Sequence, residues 1–160
     1  MPHFDAAYNL ARWLTRSAED ADDMVQESYL RAFTFFDGFR GGDARWWLFS
    51  IVRNTCYTWL RKNGAQELME FDEAQHSPAS NALNPEDLQL RRADRETLRE
   101  ALEKLPAEFR EVLVLREIED LAYKEIAEVT GLPLGTVMSR LSRARRRLQE
   151  LLAVPAGQES

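Results

Sequence analysis

The stretch Tyr123–Leu148, YKEIAEVTGLPLGTVMSRLSRARRRL, decides how this chain is read. Tyr123 to Thr130 has the length of a short helix, Gly131-Leu132-Pro133 breaks it, and a last helix follows with Val137, Leu141, Ala144, Leu148 and Leu151 on its buried stripe. A short helix, a break at glycine and a second helix describe a helix-turn-helix, with Ala127 as the small residue that lets the two pack closely. The second helix carries five arginines against the single acid Glu150, a local charge of +4 from Leu134 to Leu152. In such a motif base edges are read from the amino-terminal part of the second helix, so Thr136, Ser139, Arg140 and Arg143 are the expected base contacts. Arg145, Arg146 and Arg147 are placed for phosphates. A solvated arginine face is the plainer alternative, and it fits Arg145 to Arg147 better than it fits the rest of the motif.

The bulk composition confines any such contact to one surface. The 160 residues hold 21 Lys and Arg against 27 Asp and Glu, a formal charge of -6, which does not describe a general polyanion binder. A hydrophobic fraction of 44% is ordinary for globular protein. The one cysteine, Cys56, has no partner for an internal disulfide, and His3 and His76 stand far apart, so neither a metal site nor a cofactor is expected. No apolar run approaches the roughly 18 residues of a membrane span, and no leader pattern opens the chain. A cytoplasmic location is the expectation.

The chain divides in two. Residues 4–62 hold most of the aromatic side chains, whereas residues 94–152 are rich in Leu, Glu and Arg with only Phe109 and Tyr123 as aromatics. Between them, residues 64–93 contain His76-Ser77-Pro78-Ala79-Ser80-Asn81-Ala82-Leu83-Asn84-Pro85, which disfavours helix and sheet alike. This segment carries six acids against Arg91 and Arg92, while the halves on either side are nearly neutral. The expectation is an all-α chain of two small helical domains, residues 1–63 and 94–152, joined by a flexible acidic linker over 64–93 and followed by a tail over 153–160. Each domain is large enough for a modest core and small enough to be marginally stable alone.

In the first half Met24, Val25, Tyr29, Ala32, Phe33 and Phe36 recur at helical spacing, and Ser17 before Asp20 marks a helix start, predicting a helix from about Ala18 to Phe36. Phe39-Arg40-Gly41-Gly42 breaks it, Asp43 caps, and a long helix runs to Arg61 with Leu48, Ile51, Val52, Thr55 and Trp59 on one face. A second stripe holds Trp46, Ser50, Arg53, Tyr57 and Arg61, with Phe49 and Asn54 at its edges. Aromatics and cations interleave there on a surface the core does not need. Exposed rings stack unpaired bases for about 1–3 kcal/mol each while neighbouring cations hold the backbone. For Trp47 and Trp59, core filling is the simpler reading. In the second half Leu98, Ala101, Leu102 and Leu105 make a short helix stopped by Pro106, and Phe109, Val112, Leu113 and Arg116 another.

These residues carry a resemblance. Asp20 to Ala32 (DADDMVQESYLRA), Phe39-Arg40-Gly41-Gly42, Trp47-Leu48 and Ile51-Val52-Arg53-Asn54 resemble region 2 of the bacterial extracytoplasmic-function (ECF) sigma factors. Leu105-Pro106, Arg110-Glu111-Val112, Tyr123 to Ala127, Gly131 and Leu134 to Arg145 resemble region 4, so that together the likeness covers about residues 4–152. It implies a subunit that binds core RNA polymerase, opens and reads promoter DNA, and catalyses nothing itself. Asp22, Asp23, Gln26, Glu27 and Arg31 would face the beta-prime clamp. Trp46, Arg53, Asn54, Tyr57 and Arg61, with the loop Gly38 to Asp43, would hold the melted strand of the -10 element. Thr136, Ser139, Arg140, Arg143 and Arg147 would read the -35 duplex, region 4 also touching the beta flap. Met138 stands where a cation is usual in such a helix.

By the same likeness the acidic linker would thread toward the RNA exit path, and an anti-sigma factor would regulate the protein from outside. Promoter elements about one and a half duplex turns apart lie on the order of 50 Å from each other. Thirty residues extend to roughly 100 Å, so the linker reaches. A stand-alone DNA-binding regulator would use residues 94–152 but leave the aromatic stripe and acidic helix surplus. A protein-binding adaptor leaves the arginine helix unexplained. No phosphate loop, paired nucleophile or ligand cluster points to an enzyme.

Overall fold

The computed structural model describes residues 4–35, 43–63 and 95–153; the loop Gly38 to Gly42, the acidic linker and the tail lie outside the described residues. Seven α-helices and no strand occur among the described residues. Helix α1 spans Phe4–Thr15, a helix that the motifs of the first half did not require. Its signal is nonetheless in the sequence, because Ala7, Leu10, Ala11 and Leu14 repeat at helical spacing and all four are buried. Arg16 turns the chain at φ 64°, and Ser17 caps α2 (Ala18–Thr34) by accepting the Asp20 N–H at 3.2 Å. The helix stops at Thr34, short of the expected Phe36.

Asp43 caps α3 (Ala44–Lys62), accepting the Arg45 N–H at 2.9 Å. Helices α1, α2 and α3 pack against one another around Leu10, Leu14, Met24, Val25, Leu48, Val52 and Leu60. Phe33 does not join them. It is 82% exposed, so it continues the helical repeat without joining the core.

The second module begins with α4 (Arg95–Glu103), then α5 (Ala107–Leu113), with Pro106 at the N-cap where its missing N–H costs nothing. A π-helical turn over Val114–Ile118 extends α5, closed by the Glu119 N–H to the Val114 carbonyl at 2.9 Å. Glu125 then accepts the Ala122 N–H at 2.7 Å and starts α6 (Tyr123–Thr130). Gly131 ends α6 in the left-handed region at φ 75°, its N–H bonding the Ala127 carbonyl at 2.8 Å. Helix α7 (Leu134–Ala153) follows, with Val137, Leu141, Ala144 and Leu148 buried as the spacing predicts.

The two modules are not separate. Helix α3 packs on α6, and α1 packs on α5. Arg110 of α5 is fully buried and donates to the Trp13 carbonyl at 2.8 Å and the Leu14 carbonyl at 3.2 Å. These are carbonyls of the last turn of α1, which lack helical partners and favour a cation. A third bond goes to the Leu105 carbonyl of Arg110's own module. One guanidinium thus fastens the end of α1 in the first module to the start of α5 in the second.

Candidate nucleic-acid interface

Helix α7 presents its arginines unequally. Arg143, Arg146 and Arg147 are exposed, and together with Phe109 and Glu150 they line a shallow cleft of about 200 Å³. Thr136 and Ser139 are half-buried beside them, the Ser139 hydroxyl donating to the Thr136 carbonyl at 3.2 Å. Arg140 and Arg145 flank the buried stripe instead, 4% and 3% exposed. Arg145 is held by Glu117 of the π-helical turn, Nη2 to Oε2 at 2.9 Å, so the expectation that it meets phosphate is corrected. Arg140, expected at a base edge, is likewise folded against the module. A helix wheel assigns residues to a face, but an arginine at the border of that face lies along apolar surface when an acid or a packing gap receives it. Leu134 and Met138 fill the exposed remainder of the amino-terminal end, 43% and 41% accessible.

The stripe on α3 differs further from expectation. Trp46 is half-buried, edge-on to Phe49 at 5.8 Å between ring centroids, with the Arg45 guanidinium 4.6 Å over its ring. Asn54 and Arg61 are exposed. Tyr57, expected on the surface, is only 5% exposed. Its hydroxyl donates to Glu111 Oε1 at 2.9 Å, and Arg53 Nε meets Glu111 Oε2 at 2.7 Å. The Arg53 guanidinium lies 4.1 Å over the Tyr57 ring and also donates to Asn54 Oδ1 at 3.2 Å. Glu111 itself is fully buried. Burial, with the Glu111 charge adding to it, holds the Tyr57 phenol well above its usual pKa, so it stays protonated and donates. Burial likewise pushes the neighbouring Cys56 thiol up to about 12, which leaves it unreactive. Trp59 packs against the core and Trp47 is half-buried.

On α2, Asp22, Asp23 and Gln26 are exposed, and Glu27 pairs with Arg31 at 2.7 Å one turn on. The same helix exposes Leu30 and Phe33, 68% and 82% accessible, and Phe35 follows at 62%. Sequence reasoning missed this apolar continuation. Asp22, Gln26, Leu30 and Phe33 recur every three or four residues, and that spacing was the available signal.

An acidic-then-apolar helix, a cation-aromatic helix and a helix-turn-helix with open arginines are here joined in one chain, and two family models match the same parts. Sigma-70 region 2 matches residues 1–66, and Sigma-70, region 4, matches residues 95–148. The ECF RNA polymerase sigma-E factor of Escherichia coli strain K12 is 36% identical over 137 residues, covering 81% of this chain and 72% of that protein. The chain belongs to the ECF sigma factors of the sigma-70 family. These are subunits that bind core RNA polymerase and direct it to promoters. A second relative, ECF RNA polymerase sigma factor SigE of Mycolicibacterium smegmatis, is 34% identical over 94% of this sigma factor, which spans 59% of that protein's length. Among solved structures, the sigma factor RpoE of Bartonella quintana, in complex with the anti-sigma factor NepR, superposes with a TM-score of 0.70 at 32% identity, over 95% of this chain and 92% of that one. No helix among the described residues is long and apolar enough to cross a membrane.

Proposed function

We propose that the three faces of this sigma factor divide the work of initiation, with residues 1–63 and 94–152 as its two working domains and the acidic 64–93 as the joint. The α2 face, from Asp22, Asp23, Gln26, Glu27 and Arg31 on to Leu30 and Phe33, docks on the polymerase beta-prime clamp, the acids setting register and the apolar end supplying buried area. The α3 stripe of Trp46, Arg53, Asn54, Tyr57 and Arg61 holds the separated strand of the -10 element. Thr136, Ser139, Arg143 and Arg147 on α7 contact the -35 duplex, Arg143 nearer the bases and Arg147 nearer the phosphates, while Arg140 joins them once its side chain swings out. Nucleotidyl transfer belongs to the polymerase. The Bartonella neighbour is a complex with an anti-sigma factor, and a regulator of that kind covers the α2 face here.

The observation that carries this reading is the exposed Arg143, Arg146 and Arg147 cluster on the helix that follows Gly131, in a protein whose overall charge is negative. The test is binding of the purified chain to bacterial core polymerase, run beside binding to promoter-length duplex DNA without polymerase. Tight core binding with weak unaided DNA binding is expected. Specific duplex binding with no core association would instead make the protein a stand-alone regulator.

A further inference from the structure

The amino-terminal end of α7 is apolar where the rest of its open face is cationic. Leu134 and Met138 stand one turn apart, 43% and 41% accessible, while Val137 and Leu141 of the same helix are buried. The module's core is closed without them, so both leave apolar surface in water at a cost in free energy. A Cβ added at Gly135 would meet no other atom, so the flank beside them is open. Thr136 and Ser139, half-buried, belong to the same end, and Arg143, Arg146 and Arg147 stand exposed further along. The local charge of +4 from Leu134 to Leu152 makes a polyanion the favoured occupant of this surface.

We infer that Met138 is a specificity-determining residue that reads the C5-methyl group of a thymine in the -35 duplex, with Leu134 shielding the contact from water. The inference rests on the proposed reading of α7 as the helix that contacts that duplex. Methionine donates no hydrogen bond, and its thioether accepts only weakly. Of the groups that base pairs present for recognition in the major groove, the thymine methyl alone is apolar; the others are hydrogen-bond donors and acceptors. A side chain that offers only apolar surface therefore favours thymine by burying that methyl. It disfavours the other bases by leaving their polar edges unmatched. Four residues of helix advance about 6 Å, roughly two base-pair steps, so Leu134 and Met138 together span enough of the groove to keep water from one methyl. Methionine is unbranched and adapts its rotamer to the surface it meets. The arginines of the same helix supply the attraction to phosphate that an apolar contact lacks.

The experiment uses holoenzyme reconstituted from the full chain and bacterial core polymerase. A promoter library randomised across both elements is first selected on the parent holoenzyme, which fixes the preferred -35 base pairs. Each thymine of that element, on either strand, is then replaced by uracil, which removes the methyl and keeps the base pair. Binding is compared for the parent, Met138→Gln, which has similar length but a polar end, and Met138→Leu, which stays apolar. At one position uracil should weaken the parent and Met138→Leu roughly fourfold, the worth of one buried carbon, and leave Met138→Gln unaffected. Because the methyl is removed from the DNA, the parent's response does not depend on how well any variant folds. No loss on uracil in the parent, or the same loss in Met138→Gln, would overturn the inference while leaving α7 as the -35 helix. Weaker core binding by Met138→Gln with unchanged base preferences would place the patch on the polymerase and overturn it equally. A selection that enriches no -35 base pair would overturn the reading of α7 itself, and the inference with it.

Discussion

Helices α3 and α7 carry the same kind of signal and meet opposite fates. Both set arginines along a stripe that their own module's core does not need. On α7 the stripe stays open at Arg143, Arg146 and Arg147. On α3 it is capped at Arg53 and Tyr57 by an acid from 54 or more residues down the chain. Periodicity states which residues share a face; it says nothing about what the rest of the chain lays over that face. The difference lies in long-range partners. Arg53 and Tyr57 are covered by Glu111, whereas Arg143 stays exposed at a shallow cleft that Glu150 also lines.

The largest effect should come from the fastening on the closed side. Arg110→Ala removes a buried guanidinium from the two last-turn carbonyls of α1 and leaves a cavity at the module boundary. A loss of about 3–5 kcal/mol is expected, since breaking buried charged contacts leaves desolvated groups unpaired. Urea unfolding followed by circular dichroism measures it. A loss under about 1 kcal/mol would mean that the modules are fastened elsewhere, and the contrast between closed and open helices would weaken accordingly.

Arg143→Ala tests the open side. Its exposed side chain gives folding little, so stability should stay within about 0.5 kcal/mol of the parent. Promoter discrimination by the reconstituted holoenzyme should fall by about 1–3 kcal/mol at one -35 position, the usual worth of a base-edge contact. Run-off transcription from promoters altered one base pair at a time reads this. Uniform weakening across all -35 sequences would reassign Arg143 to a phosphate.

Much of the architecture was legible because it is local. The αL glycine at Gly131, the caps Ser17 and Asp43 and the α7 stripe all depend on neighbours within one helical turn. The exposed acids Asp22 and Asp23 of α2 were legible for the same reason. What could not be read was pairing across the boundary between modules. Arg110 and Glu111 stand in a helical pattern as ordinary surface charges, and their burial depends on where α1 and α3 come to rest. Phe33 shares its helical repeat with the buried Met24 and Val25 yet ends at solvent, because nothing among the described residues covers it.

The smallest effect should be the most diagnostic of that boundary. Tyr57→Phe deletes the hydroxyl that donates to Glu111 while keeping the ring under Arg53. One net hydrogen bond, about 1 kcal/mol, should be lost at neutral pH. Because burial raises the folded-state pKa above the usual 10.0, the unfolded chain gives up this proton first as pH rises. The Tyr57 hydroxyl therefore stabilises fully below pH 10 and progressively less above it. The parent's advantage over Tyr57→Phe, measured by urea unfolding at pH 7 and again above pH 10, should shrink as the pH rises. An advantage that does not change with pH would mean that the phenol is solvated, and hence that the modules already stand apart in solution, with α3 as open as α7.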